Sequence, residues 1–434
     1  MNAKPAKTDT NELLEFMFRL GQAFLASGEQ TANVELVLRR VASAYGVRRS
    51  RVVTFPTAIF ISIHDGAAER VTLAEGPTET LRLDQIADVY TLGDVAQRGD
   101  LPPREGIKRL TEILRKQPRF GLAGSVVGHS ILSIGVAMVL LSTPWNLAAA
   151  CVLGAVVGLV KALNRNRAVL AVPLPVVVAA LVSGLTYLAI KNGLPVDPLH
   201  VLVPPLVTFL PGAMLTLGMV ELAYGDMVSG SSRLVTGFVQ LVLLAFGLAA
   251  GAVLAGYQPE NLVDVADEVV AARWTAWLPW VGVIVFGTGV YLHFSAPRKS
   301  WPWMMLVLLT AYATQQIAAA YVGRTASGFF GMLIATPLGY LIHLRFKGPP
   351  AVVTFLPTFW LLVPGALGLV SVKHMLSDRA AGLDGMTTTV FVFASVALGT
   401  LMGASLYKWL TERFGSWQLQ IGRAGRYFRR DNKR

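Results

Sequence analysis

From Phe120 to about Trp409 this chain is a nearly continuous succession of apolar runs. A helical crossing of a bilayer takes about 20 apolar residues to match a hydrocarbon core of about 30 Å. Inside lipid every backbone N–H and C=O must be satisfied within the protein, so runs of this kind fold as helices. Residues 1–119 are different: charged residues recur, and apolar ones follow helix and strand periods. The whole chain is only 15% charged, against about 25% for soluble domains, and the shortage lies after residue 119. The chain therefore reads as a mainly α membrane protein, with about ten transmembrane helices and a small α+β N-terminal domain.

The ten runs lie near 121–141, 146–163, 168–190, 199–222, 234–256, 275–294, 302–322, 326–344, 351–372 and 387–410. Loop charges orient them. Arg115, Lys116 and Arg119 precede the first run, and Lys161, Arg165 and Arg167 flank the second connection. Arg298, Lys299, Arg345 and Lys347 mark later connections on the same side, and the tail GRAGRYFRRDNKR is densely basic. The longest intervening loop, YQPENLVDVADEVVAARW, is acidic. By the positive-inside rule both termini face the cytoplasm. The start of the chain, MNAKPAKTDTNELLEF, has no signal-peptide core. The expected organisation is a cytoplasmic domain (1–119), a first five-helix repeat (120–256), a second (275–411) and a basic cytoplasmic tail (412–434). Five spans per half is an odd number, so the second repeat is expected upside down relative to the first.

The net charge of +12 follows from these flanking residues, and no nucleic-acid recognition module accompanies it. Cys151 is the sole cysteine, so neither an intrachain disulfide nor a cysteine metal site is expected. No GxxxxGK[ST] loop, GxSxG elbow or HExxH pair is present. Neither a cofactor nor a metal is implied.

In the N-terminal domain, Leu13, Phe16, Met17, Leu20 and Phe24 recur at helical spacing, with Gly28 as a stop. A second helix over about 31–45 ends at Gly46. RVVTF, TAIFISI and RVTLA read as short strands, broken at Pro56 and at the His64-Asp65-Gly66 turn. Helices return near 84–98 and after Pro102-Pro103.

One block occurs in both membrane halves: VPPLVTFLPGA near 204 and LPTFWLLVPGA near 357. Pro204 and Pro211-Gly212-Ala213 match Pro357 and Pro364-Gly365-Ala366, 153 positions on in each case. Thr236 and Phe238 match Thr389 and Phe391 at the same offset. Pro and Gly interrupt a helix, and freed backbone groups survive in lipid only beside protein or a water-filled cavity. Interrupted segments at matching places in two halves point to a transporter site near the midplane.

Candidate site residues follow. Pro211, Gly212, Pro364 and Gly365 would expose half-helix ends to a charged substrate, and Thr216 offers a hydroxyl a turn later. Gln315 and Gln316 lie inside the seventh run and Gln240 inside the fifth, where polar groups are costly and face a cavity or a partner. His129, inside the first run, can carry a proton or make a structural interhelical bond. Glu221 and Asp226 are the carboxylates between the fourth and fifth runs, suited to proton coupling or gating. Asp378 and Asp384 follow the second Pro-Gly pair, as gating groups or solvated loop charges.

These motifs together resemble the threonine/serine exporter family in its actinobacterial form, with both membrane modules in one chain. GQAFLASGEQTANVELVLRRVASAYGV carries Gly21, Gly28, Glu29, Thr31, Glu35 and Gly46 in the family's places. The family pattern of the first membrane half is met by Pro211, Gly212, Thr216, Glu221, Gly225, Asp226, Ser229, Gly230 and Arg233. Pro357 and Pro364-Gly365 resemble the second module. Leu217 stands where many relatives have Asn. The resemblance implies a secondary transporter, not an enzyme, that exports threonine and serine with the proton gradient. Its partners would be a small amino acid, protons, the lipid bilayer and, optionally, further copies of itself. Some relatives are linked to dicarboxylate export, so a succinate-like cargo is the alternative. A third reading is a membrane-anchored sensor or enzyme acting through residues 1–119.

Overall fold

The computed structural model describes residues 9–47, 49–64, 69–75, 80–164, 173–257, 277–362 and 379–413. The N-terminal unit opens with α1 (Thr10–Ala26) and α2 (Thr31–Ala44). Asp9 caps α1, its carboxylate accepting the Asn11 N–H at 2.9 Å. The five apolar residues at helical spacing on α1 are all buried. The helices stop where glycines adopt left-handed backbone, Gly28 at φ 79° and Gly46 at φ 83°. Strands β1 (Ser50–Phe55), β2 (Ala58–His64) and β3 (Glu69–Glu75) form an antiparallel sheet in that order. On β2, Ile59, Ile61 and Ile63 are fully buried, the alternation a half-covered strand requires. Helices α3 (Leu83–Ala96) and α4 (Pro103–Arg115) complete the unit. A Cβ on Gly106 would lie 2.5 Å from the Phe16 ring, so α4 seats against α1 only because that position is glycine. The residues after His64 in the expected turn lie outside the described segments.

The membrane part continues with α5 (Gly121–Val139), α6 (Pro144–Asn164), α7 (Leu174–Lys191) and α8 (Pro198–Leu206). A single 3-10 turn (Val207–Phe209) leads to α9 (Gly212–Ala223) and α10 (Met227–Leu254). Then come α11 (Leu278–His293), α12 (Trp301–Val322), α13 (Arg324–Arg345), α14 (Ala351–Leu362) and α15 (Arg379–Arg413). Seven of these helices are long and apolar enough to cross a membrane, and α8 with α9, bent by 56°, makes an eighth candidate. Helices α11 and α14 are apolar but short, with 16 and 12 residues. Helix α11 spans about 24 Å at 1.5 Å per residue, against a core of about 30 Å. Helix α14 ends at the edge of the described residues, and Pro364-Gly365 lies beyond it, as does Asp378.

Glycines set the closest helix approaches. Helices α5 and α11 cross through Gly128 and Gly135 on one side, and Gly282 and Gly289 on the other. A Cβ on Gly135 would lie 2.2 Å from the Phe286 nitrogen, and one on Gly289 would lie 2.2 Å from the Leu132 nitrogen. Gly128 sits against His293 and Gly282 against Val139. Helix α10 lies on α7 through Gly247 and Gly251, which face the carbonyls of Val176 and Ala180. Helix α15 lies on α13 through Gly399 and Gly403, facing the carbonyls of Phe329 and Leu333.

Candidate functional site at the interrupted fourth span

Helix α8 contains Pro204 and Pro205, neither of which can donate to the helical ladder. The chain tightens into the 3-10 turn and passes through extended Leu210 (φ −69°, ψ 128°). It restarts at Gly212 behind Pro211, whose missing N–H costs nothing at a helix start. The Gln240 side chain on α10 donates to the Phe209 carbonyl at 2.7 Å. This explains a polar residue inside the fifth apolar run: it satisfies backbone released by the break.

A chain of polar side chains meets this break. His129, fully buried on α5, has Nδ1 3.1 Å from the Gly154 carbonyl and Nε2 3.1 Å from the Thr208 hydroxyl. A carbonyl only accepts, so the neutral imidazole carries its proton on Nδ1 and accepts the Thr208 O–H at Nε2. Lys161 of α6 donates to the same Thr208 oxygen at 2.9 Å. Its ammonium lies 5.1 Å from the centre of the Phe209 ring and 5.7 Å from that of Phe294, within cation–π range. His293 packs edge-on to His129 with ring centres 4.8 Å apart, and its Nδ1 is 2.7 Å from the Ser125 carbonyl. The cluster holds one cation and two imidazoles, and no carboxylate is paired with it among the described residues. The start of α9, with its unsatisfied N–H groups, opens at the same break.

Thr216 is fully buried on α9, and its hydroxyl has no partner among the described residues. Gln315 is half-buried and Gln316 exposed on α12, and no hydrogen bond joins either to the His129 cluster. Asp226 stands at the N-cap of α10 without a capping side-chain bond. Asp384 lies exposed near the start of α15. Sequence reasoning missed Lys161 and Thr208. Lys161 reads as a flanking charge, yet it lies within α6, three residues before that helix ends, and that placement was the available signal.

Glu221 is elsewhere, at the seam between the N-terminal unit and the membrane helices. It is 1% exposed and pairs with Arg233 at 2.9 Å. It also accepts the Thr31 backbone N–H at 3.1 Å. Thr31 is the first residue of α2, and Gln30 provides no side-chain cap. Glu221 thus caps α2 from another part of the molecule, satisfying an orphan donor and facing the positive end of the helix dipole. Arg233 reaches on to the Glu29 carbonyl at 3.0 Å. The Glu29 carboxylate accepts the Tyr90 hydroxyl. Burial first, and then Glu29, hold the Tyr90 phenol well above its ordinary pKa, so it remains a donor. Leu83 N–H to the Phe294 carbonyl, 3.2 Å, is a further link across the seam. Gly225 makes the α9–α10 turn at φ 89°, and Gly230 packs on Gly218, where a Cβ would lie 2.6 Å from the carbonyl oxygen.

A model of the threonine/serine exporter family matches residues 15–255. The threonine/serine exporter of Corynebacterium glutamicum is 23% identical over 91% of this chain and 81% of its own length. The "Probable threonine/serine exporter" of Mycobacterium tuberculosis is 26% identical over 97% of this chain and 80% of its own. Pheromone-regulated membrane protein 10 of Saccharomyces cerevisiae is 25% identical over 45% of this chain and 49% of its own. No solved structure matches.

Proposed function

The chain belongs to the threonine/serine exporter family, and from that premise we propose that it exports threonine and serine across the cytoplasmic membrane in exchange for protons. As a member it is a membrane transporter, not an enzyme. The observation that carries the mechanism is the Lys161–Thr208–His129 chain at the interrupted span. Lys161 and the free N–H groups of α9 hold the substrate carboxylate. Carbonyls released by the break take the ammonium. His129 accepts a proton through Thr208 and returns it when the cargo leaves. Thr216, with Gln315 or Gln316, reads the cargo hydroxyl; Glu221 and Asp226 gate the passage rather than carry the proton.

Two inverted repeats and ten crossings complete the proposal, with both termini cytoplasmic. The support is a set of matched glycine contacts. Gly128 against His293 has its image in Gly282 against Val139, and Gly135 against Phe286 has its image in Gly289 against Leu132. Every residue in these pairs maps to its image 154 positions away. Gly247 on Val176 and Gly251 on Ala180 repeat as Gly399 on Phe329 and Gly403 on Leu333, at offsets of 152 and 153. A helix pair that exchanges with itself on moving one repeat length surrounds a two-fold axis in the membrane plane, the arrangement of many secondary transporters.

The test is efflux of labelled threonine from proteoliposomes, with and without a proton gradient. Lys161→Met and His129→Gln should each lower the rate at least tenfold in well-folded protein. Rates indifferent to the gradient and to both substitutions would remove the mechanism. The cationic character of the cluster favours one second reading, export of a dicarboxylate. Succinate that competes fully with threonine, and is itself moved faster, would establish it.

A further inference from the structure

A cavity of about 240 Å³ lies between the N-terminal unit and the membrane helices. Leu217, Val220 and Tyr224, along and just past α9, line part of it, whereas Lys161, Thr208 and His129 do not. Glu29, Arg40 and Tyr90 line it from one side, and Thr336, Tyr340 and His343 from the other. Three buried polar atoms in this lining have no partner among the described residues: Arg40 Nε, Thr336 Oγ1 and His343 Nδ1. A buried polar group without a partner is unfavourable, and three around one void mark groups arranged for something else. Among the described residues no carboxylate pairs with Arg40, whose guanidinium donates to the Gln97 side-chain oxygen at 3.5 Å. Burial alone holds its guanidinium below the ordinary pKa, as a cation lacking a counter-ion would be. Carboxylates of Glu29 and Asp94 lie in the same lining, and Phe355 and Phe359 give it an apolar part.

The lining selects its ligand. The volume is below the usual 300–1,000 Å³ of drug-sized sites, so a nucleotide does not fit. A cation and two carboxylates suit a small molecule bearing both charges. The unpartnered hydroxyl of Thr336 and the free nitrogen of His343 suit a ligand with a hydroxyl of its own. We infer that this cavity is a second binding site for a small hydroxy amino acid, through which the N-terminal unit senses the cargo. The choice of ligand rests on the exporter reading above. Glu29 supplies the coupling: it lines the cavity, and its carbonyl accepts Arg233 in the seam. Occupancy therefore bears directly on the Glu221–Arg233–Thr31 contact.

The experiment measures equilibrium binding of labelled L-threonine to the full chain in lipid nanodiscs, alongside efflux from proteoliposomes. Arg40→Gln and Thr336→Val are compared with the wild type. The expected result is two bound threonines per wild-type chain, one of them weakened about tenfold in each variant, with the half-saturating internal threonine concentration for efflux raised. Thr336→Val keeps the shape and removes an orphaned hydroxyl, so it should melt no lower than wild type and decides the matter if Arg40→Gln fails to fold. No binding by the wild type, or binding unchanged in the folded variants, overturns the second site. Efflux judges the exporter reading separately. A chain that binds through Arg40 and Thr336 yet moves no threonine keeps the site and loses that reading. A chain that exports while the variants bind as wild type keeps the reading and loses the site.

Discussion

Glu221 and Arg233 show how a residue's surroundings decide its role. A carboxylate in an apolar stretch invites a proton-carrying assignment. Here it is buried against a guanidinium and the first N–H of α2. Removing one partner leaves the other charge buried, which costs about 3–5 kcal/mol. Arg233→Ala is therefore expected to lower the thermal stability of the purified chain by that order. Adding Glu221→Ala to it should recover part of the loss, because the isolated carboxylate is gone. Strictly additive losses in a double-mutant cycle would mean that the pair is not coupled. The sequence presented both residues within one family pattern. It did not present their partners, because Thr31 is 190 positions away from Glu221 and only tertiary packing brings it there. Lys161 was hidden for a related reason. A lysine near a helix end reads as an interfacial charge, and whether its side chain turns inward depends on Thr208, Phe209 and Phe294 standing beside it.

At the scale of elements, much of the architecture was legible because it depends on local rules. Apolar run length gave α5, α6, α7, α10, α12 and α13. Left-handed glycines gave the ends of α1 and α2, and the strand period gave β2. The interruption at Pro211 was legible too, but its cure was not. Gln240 lies on the next helix and meets the break only because α10 packs back on α9. Gln240→Ala should strand the Phe209 carbonyl and cost about 1–3 kcal/mol, read as a lower melting temperature, with Gln240→Glu a weaker substitute since it no longer donates. A stability unchanged by Gln240→Ala would mean that the break is solvated by other means. The close crossing of α5 and α11 makes a sharper demand. Gly135→Ala and Gly289→Ala each place a methyl group 2.2 Å from backbone nitrogen, and overpacking of this kind costs about 1–3 kcal/mol or more. If the two positions are images of one another, their losses should be similar in size. A harmless Gly289→Ala beside a damaging Gly135→Ala would argue against the symmetry.

The whole molecule poses a question of parity. Among the described residues, length and apolarity alone mark seven helices and one bent pair, and α11 is shorter than a flat bilayer needs. Short spans are accommodated by local thinning of the bilayer or by snorkelling flanks, and α11 is shielded along one side by α5 through the glycine crossing. If α11 crosses, and if α8 and α9 together cross once, five crossings separate Asn192 from Arg345. The two residues then lie on opposite sides of the membrane. Both are exposed, and Asn192 follows α7 as Arg345 ends α13. In a background with Cys151 replaced by Ala, Asn192→Cys should react with a membrane-impermeant thiol reagent in intact cells. Arg345→Cys should react only after the membrane is opened. Labelling of both from outside would mean that an even number of segments crosses between them. The fourth span would then be re-entrant or α11 would lie in the interface, and the two-fold relation between the repeats would lose its topological basis. The opposite outcome would leave the N-terminal unit, the seam at Glu221 and the cavity at Arg40 on the side where the cargo is made.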